Sequence, residues 1–128
     1  MSVAAQRPKQ FDPAKFEAEL EQHITTQAGL TPQEASRFFP IYREMRKKQM
    51  ALMGSDRRHK HVDPNDDKAC AEAIRQHDSK DIEVKELQQA FHNKFLKILP
   101  AGKVFRIIRA EEQFHRQVFK RVAKHEHQ

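Results

Sequence analysis

Apolar side chains recur every three or four residues along most of the chain, which is the spacing of one face of an α-helix. The first stripe consists of Phe16, Leu20, Ile24 and, at its end, Gln27. Asp12-Pro13 provides a capping side chain followed by a proline in the first helical position. Gly29 is a residue that readily ends a helix. The pattern predicts a first helix between Pro13 and Gly29.

The second stripe follows the segment Leu30-Thr31-Pro32-Gln33-Glu34. Thr31 is placed to cap a helix, Pro32 takes its first position, and Glu34 lies where a capping box has its carboxylate. The apolar positions that follow are Ala35, Phe38, Phe39, Tyr42, Met45, Gln49, Leu52 and Met53. We expect a kink at Pro40, because its ring removes one backbone hydrogen bond.

Asp63-Pro64 repeats the cap and proline, and predicts a third helix that continues to about Leu99. Its seam consists of Cys70, Ile74, Val84, Leu87, Phe91, Phe95 and Ile98. His77 and Asp81 occupy seam positions in between, so this long helix either bends near Asp78-Ser79 or projects past its partners.

Pro100 ends the third helix and predicts a fourth, from Ala101 to about Lys124. Its apolar face consists of Val104, Ile108, His115, Phe119 and Val122, widened by Phe105, Ile107, Phe114 and Val118. A stripe this broad indicates contact with two neighbours or with a second copy of the chain. We therefore expect a single all-α domain over residues 11–126, preceded by a disordered segment over residues 1–10.

Composition agrees with helices and argues against catalysis. Apolar residues make up 38% of the chain and there are only three glycines, which favours a thin seam between helices and excludes a glycine-rich phosphate loop. None of the four serines lies in a nucleophile elbow. The pair Glu111-Glu112 is flanked by Arg109 and Arg116, as in solvent-facing ion pairs. We expect no enzymatic activity and no cofactor.

The chain carries a formal net charge of +6, which attracts acidic partners. Basic runs occur at 43–48, 57–61 and 116–125, and each could instead be a solvated helix face. No zinc finger, basic zipper or aromatic stacking platform is present, so nucleic acid is not the expected partner. No segment is long and apolar enough to predict a membrane span.

Eight histidines raise the question of metal binding. His59 and His61, with Asp63 nearby, and His125 with His127 have ligand-like spacing, but neither pair supplies three converging ligands. We therefore predict no metal site. His23, His92 and His115 lie on or beside apolar stripes and are predicted to be buried and hydrogen-bonded. Cys70 cannot form an internal disulfide; it either packs as a small hydrophobe or pairs with a second chain.

Methionines and cations come together at the end of the second helix. Thioethers repack around varied apolar groups, and cations attract acidic chains, so such a surface suits adaptable binding. The candidate contact residues are Arg43, Arg46, Lys47, Met50, Met53, Arg57 and Arg58. The alternative is that Leu52 and Met53 form the last turn of the core.

The first residues are typical of the end of an export signal. Ser2-Val3-Ala4-Ala5-Gln6 has small residues at the −3 and −1 positions of a cleavage site, before a polar mature start. We interpret the segment as a signal-peptide remnant and expect an exported protein.

Several of these segments resemble the small periplasmic Spy/CpxP-like proteins, some of which are labelled heavy-metal sensors and whose helices start with Leu-Thr-x-x-Gln. Leu30-Thr31-Pro32-Gln33-Glu34 is similar to the first such motif, with glutamate in the glutamine position, and Leu99-Pro100-Ala101-Gly102-Lys103 stands in place of the second. Residues 91–100 and 109–116 resemble a branch of short exported members, and the likeness covers residues 11–124.

The resemblance implies a hairpin-like, four-helix protomer that pairs into a curved homodimer. Characterised relatives bind unfolded proteins without ATP, modulate an envelope-stress sensor kinase, or sense metal. The expected function is thus an ATP-independent periplasmic chaperone that binds unfolded or aggregation-prone proteins. The alternatives are a metal-responsive sensor and a regulatory partner of an envelope-stress system.

Overall fold

The computed structural model describes residues 12–54 and 61–126, and within these ranges the chain forms four α-helices and no strand. The helices are α1 (Pro13–Ala28), α2 (Pro32–Gly54), α3 (Asp67–Ile98) and α4 (Ala101–Glu126). The all-α prediction is confirmed, as are the starting residues of α1, α2 and α4. The segment predicted to be a disordered signal-peptide remnant lies outside the described residues. None of the four helices is apolar over a long enough stretch to cross a membrane.

The third helix begins later than the sequence pattern predicts. Asp63, Pro64, Asn65 and Asp66 form a turn, in which Asp63 Oδ1 accepts a hydrogen bond from Asn65 N at 2.9 Å. Asp66 is the actual N-cap, and its Oδ1 accepts from Ala69 N at 3.1 Å. The prediction that Asp63 caps this helix is therefore wrong. Proline and asparagine are favoured at the central positions of a turn, and an aspartate followed by proline is therefore typical of a turn as well as of a helix start.

The chain divides into two compact units, of which the first consists of α1 and α4. The buried side chains of this unit are Leu20, Ile24, Ala28, Leu30, Val104, Ile107, Ala110 and Phe114. Ala28, rather than the predicted Gln27, completes the stripe of α1. Gly29 ends α1 with a φ of 66°, and its carbonyl oxygen accepts a hydrogen bond from Lys103 Nζ at 3.0 Å. That bond joins the end of α1 to the first turn of α4.

The second unit consists of α2 and α3 and contains an aromatic cluster. Its buried side chains are Phe38, Phe39, Tyr42, Met45, Phe91, Phe95 and Leu99. The Phe38 ring lies 4.7 Å from Phe95 and 5.2 Å from Tyr42, measured between centroids. Edge-to-face and offset contacts of this kind add to the free energy gained by burial. The helical assignment of α2 continues through Pro40.

Two predicted apolar seams are only partly buried. In α3, Ile74 is 62% exposed, and the helix runs unbroken through Asp78 and Ser79. No described side chain in the first half of α3 is buried, as expected for a segment that projects past its partner. In α4, Phe119 is 74% exposed. The predicted broad stripe therefore divides into a buried half and an exposed half.

Candidate functional site

The second half of α2 presents a mixed apolar and cationic surface, which we call the Met/Arg face. It consists of Arg43, Arg46, Lys47, Met50 and Met53. Their separations of three, four and seven residues bring all five to one side of the helix. The segment is helical because arginine, lysine, glutamine, methionine and leucine are strong helix formers. The structure thus gathers five of the seven predicted contact residues on one surface; Arg57 and Arg58 lie outside the described residues.

The methionines of this face are largely solvent-accessible. Met50 and Met53 are each 60% exposed, whereas Leu52 is half-buried. The alternative that Met53 belongs to the last turn of the core is therefore wrong for this side chain. Two flexible thioether side chains one helical turn apart form an apolar patch that can adapt to partners of different shape.

The arginines of the face lie above aromatic rings of the core. Arg43 Cζ lies 6.0 Å from the centroid of Phe39, and Arg46 Cζ lies 5.9 Å from that of Tyr42. These are weak cation–π contacts at the outer limit of distance. Since both rings are buried, the aromatic cluster supports the arginine side chains from beneath. The fold of the second unit thus positions the Met/Arg face.

Neighbouring charges on α2 are paired elsewhere on the helix. Lys48 Nζ lies 3.2 Å from Glu44 Oε1, a pair one turn apart that does not belong to the Met/Arg face. Lys47 forms no ion pair with the residues that the structure describes. The five side chains that define the face thus include three cations and no carboxylate.

The structure shows no metal centre among the residues it describes. No group of three or more histidine, cysteine, aspartate or glutamate side chains within them could hold an ion. His61 is exposed, while His59 and His127 lie outside the described residues. Cys70 is half-buried, and its Sγ donates to Asp63 O at 3.4 Å. This contact fits a packing role for the thiol.

The prediction of buried, hydrogen-bonded histidines is wrong in most respects. His115 is exposed on α4. His23 is half-buried; its Nε2 is shielded from solvent but has no hydrogen-bond partner among the described residues, and its ring lies 5.6 Å from that of Phe114. His92 is half-buried, and partial burial lowers its pKa because the charged imidazolium loses solvation.

Among the described residues, the one carboxylate with a shifted pKa belongs to an exposed ion pair on α3. A hydrogen bond from Arg75 holds the pKa of Glu72 below its usual value, with a second contribution from Gln76. His77 Nε2 lies 3.5 Å from Asp81 Oδ2. From the sequence we predicted only that His77 and Asp81 interrupt the apolar seam of α3. Their four-residue spacing is also typical of two side chains that interact on one helix face.

Comparison with known proteins adds no relative to this description. No protein-family model, curated protein or solved structure matches the chain at a significant level.

Proposed function

We propose that this protein is an ATP-independent, chaperone-like binding protein that holds unfolded or aggregation-prone polypeptides on the Met/Arg face of α2. The observation that supports this function is the exposure of Met50 and Met53, each 60%, beside three cationic side chains on one helix face. Apolar side chains this exposed gain free energy when another chain covers them. No turnover and no cofactor are part of this function.

The chemistry of the face favours varied clients rather than one shaped ligand. Methionine side chains have three rotatable bonds and repack around different apolar groups. A protein that binds many sequences requires this adaptability more than it requires a close fit. The client would therefore be defined by exposed apolar residues and not by a sequence motif.

Charge provides the capture step in this proposal. The chain has a formal net charge of +6, and Arg43, Arg46 and Lys47 concentrate positive charge beside the methionines. A positive surface attracts acidic chains over about 10 Å at ordinary ionic strength and loses that attraction in salt. We expect acidic clients to bind faster than basic ones.

The cellular setting is part of the same proposal. Export is supported by the segment Ser2-Val3-Ala4-Ala5-Gln6, which is typical of the end of an export signal. A periplasmic location and a curved homodimer are supported by the likeness of residues 11–124 to Spy/CpxP-like proteins. In such a dimer the Met/Arg face would be presented twice, which increases the apparent affinity for a long client.

The test measures light scattering from an unrelated aggregating acidic protein, without ATP, at low and moderate salt. Wild-type protein is expected to suppress aggregation at near-stoichiometric ratios, less so in moderate salt. Met50→Ser with Met53→Ser removes about 1 kcal/mol of binding per methionine, since 60% of each side chain remains to be buried. Together this weakens client affinity about thirty-fold.

A matched control comes from the same unit. Ile74 and Ile82 of α3 are 62% and 59% exposed, so Ile74→Ser with Ile82→Ser removes similar apolar surface from a different helix. This control should retain full suppression. Arg43→Glu with Lys47→Glu should abolish the salt-sensitive part of the suppression, because it reverses two exposed charges of the Met/Arg face.

Equal suppression by wild type and the methionine variant, with both folded by circular dichroism, would show that the Met/Arg face does not bind clients. If wild type suppresses nothing at either salt concentration, the chaperone function is wrong. Titration with zinc, nickel and copper would then test the metal-responsive alternative, with His59→Ala and His61→Ala as its variant.

A further inference from the structure

The solvent side of α4 carries two parallel stripes that the Met/Arg face does not include. The basic stripe consists of Arg106, Arg109, Gln113, Arg116, Lys120 and Lys124. The apolar stripe consists of Phe105, Ile108, Glu112, His115, Phe119 and Val122. Both repeat at intervals of three or four residues, so each follows one line along the helix.

Exposure shows that both stripes face solvent. All members of the basic stripe are exposed. In the apolar stripe Phe105 is 59%, Phe119 74% and Val122 52% exposed, while Ile108 is half-buried. The buried side of the helix, with Ile107 and Phe114, points the other way, towards α1. The basic stripe extends over about 27 Å.

Part of the basic stripe lines a cleft of about 360 Å³ next to α1. The described residues that line it are Gln27, Arg106, Arg109, Ala110, Gln113 and Arg116, and none of these carries a carboxylate. Arg106 and Arg116 form no ion pair with other described residues. Guanidinium groups match phosphate oxygens with pairs of parallel hydrogen bonds, and glutamine amides add neutral donors. The cleft therefore suits a phosphate group.

We propose that this side of α4 docks on the surface of an anionic phospholipid bilayer. The basic stripe binds lipid phosphates, and Phe105, Phe119 and Val122 enter the boundary between headgroups and acyl chains. Helices that lie in a membrane interface combine a stripe of large apolar residues with lysine and arginine beside it. A soluble phosphate polymer or the backbone of a nucleic acid duplex would use the basic stripe alone, and would leave the exposed apolar stripe without a role.

One residue opposes this docking. Glu112 is exposed within the apolar stripe, and its carboxylate would approach the lipid phosphates. Removing a like charge near an anionic bilayer strengthens binding about five-fold. Glu112→Gln is therefore expected to increase vesicle binding, and this variant does not depend on weakening the fold.

The test is co-sedimentation of the full chain with vesicles of phosphatidylcholine alone, and with vesicles of equal parts phosphatidylcholine and phosphatidylglycerol. We expect binding to the mixed vesicles only. Arg116→Gln with Lys120→Gln should weaken it roughly twenty-five-fold, and Phe119→Ser with Val122→Ser about thirty-fold. Ile74→Ser with Ile82→Ser, and Arg37→Gln with Lys97→Gln, change equivalent side chains on α2 and α3 and should stay within about two-fold of wild type.

The absence of binding to mixed vesicles at low salt would overturn the proposal. So would a Glu112→Gln variant that binds them no better than wild type. A third result would also overturn it. In that result, a single-stranded oligonucleotide binds the protein in the absence of vesicles as tightly as the mixed vesicles do, and the Phe119→Ser, Val122→Ser variant binds it as tightly as wild type. That outcome would make the basic stripe a general polyanion site.

Discussion

Replacing Phe95 by alanine removes the ring at the centre of the aromatic cluster between α2 and α3. Phe95 is 1% exposed, and its ring centroid lies 4.7 Å from Phe38, 6.4 Å from Tyr42 and 6.0 Å from His92. The variant loses the burial of one phenylalanine and leaves a cavity lined by rings that cannot collapse freely. It also loses the geometry-dependent attraction between rings.

The expected cost follows from these terms. Truncation of a fully buried phenylalanine lowers the free energy of unfolding by about 3–5 kcal/mol, which includes the transfer of the ring and the cavity. Because Phe95 makes close ring contacts, we expect about 4 kcal/mol. For a chain of this length, such a loss lowers the melting temperature by about 15 °C.

The assay is urea and thermal unfolding followed by far-ultraviolet circular dichroism. Phe119→Ala is the matched control, since it deletes the same atoms from a side chain that is 74% exposed. Only about a quarter of that ring is buried, so its loss should cost about 0.5 kcal/mol. The two variants should therefore differ in melting temperature by more than 10 °C, roughly.

Equal destabilisation by the two alanine variants would refute the assignment of Phe95 to the core and of Phe119 to the surface. A Phe95→Ala variant with wild-type stability would refute the importance of the aromatic cluster itself. In that case the second unit would be held together by its aliphatic contacts.

Three smaller predictions concern helix ends and ionisation. Asp66→Ala should lower the free energy of unfolding by about 1 kcal/mol through loss of the α3 cap, whereas Asp78→Ala, in the exposed middle of that helix, should change it little in the same urea titration. Gly29→Ala should lower the free energy of unfolding by about 1 kcal/mol, because a φ of 66° is strained for any residue with a side chain. Gly54→Ala should leave the free energy of unfolding unchanged, because Gly54 has open space around it and no positive φ. Because burial lowers the pKa of His92 from the ordinary 6.5, the unfolded chain takes up a proton first, so the contribution of His92 to stability is complete above that value and is lost as pH falls towards the folded pKa. The difference between the unfolding midpoints of wild type and His92→Gln should be constant above pH 6.5 and change below it, and a constant difference at every pH would contradict the pKa shift.

The helices were predictable because their local signals agree with each other. Asp12-Pro13 and Thr31-Pro32 each place a capping residue before a proline and a periodic apolar run, and both helices start at the proline. Asp63-Pro64 has the same two letters but lies in a turn, because Asp66 offers a second cap three residues later. Which of two caps is used depends on packing beyond the local sequence.

Periodicity predicted which residues share a face but not which face is covered. Phe105 and Phe114 both belong to the broad stripe of α4, yet only Phe114 of the two is buried. Its ring packs against that of Phe16 on α1, with 5.3 Å between the ring centroids. Met53 similarly follows the core spacing of α2 and is exposed. The sequence thus predicted the residues of the Met/Arg face, while their exposure depends on which helices pair.

The pairing of the helices has a consequence for how the chain forms. The partners α2 and α3 are separated by residues 55–66, whereas α1 and α4 are separated by residues 29–100, a loop about six times as long. Closing the longer loop costs roughly 1.5 kcal/mol more in chain entropy when the inner helices are still unfolded. During synthesis at about 5–20 residues per second, the buried face of α1 has no partner for several seconds until α4 has been made. The inner pair can fold within that interval, and its folding shortens the effective distance that α1 must then bridge.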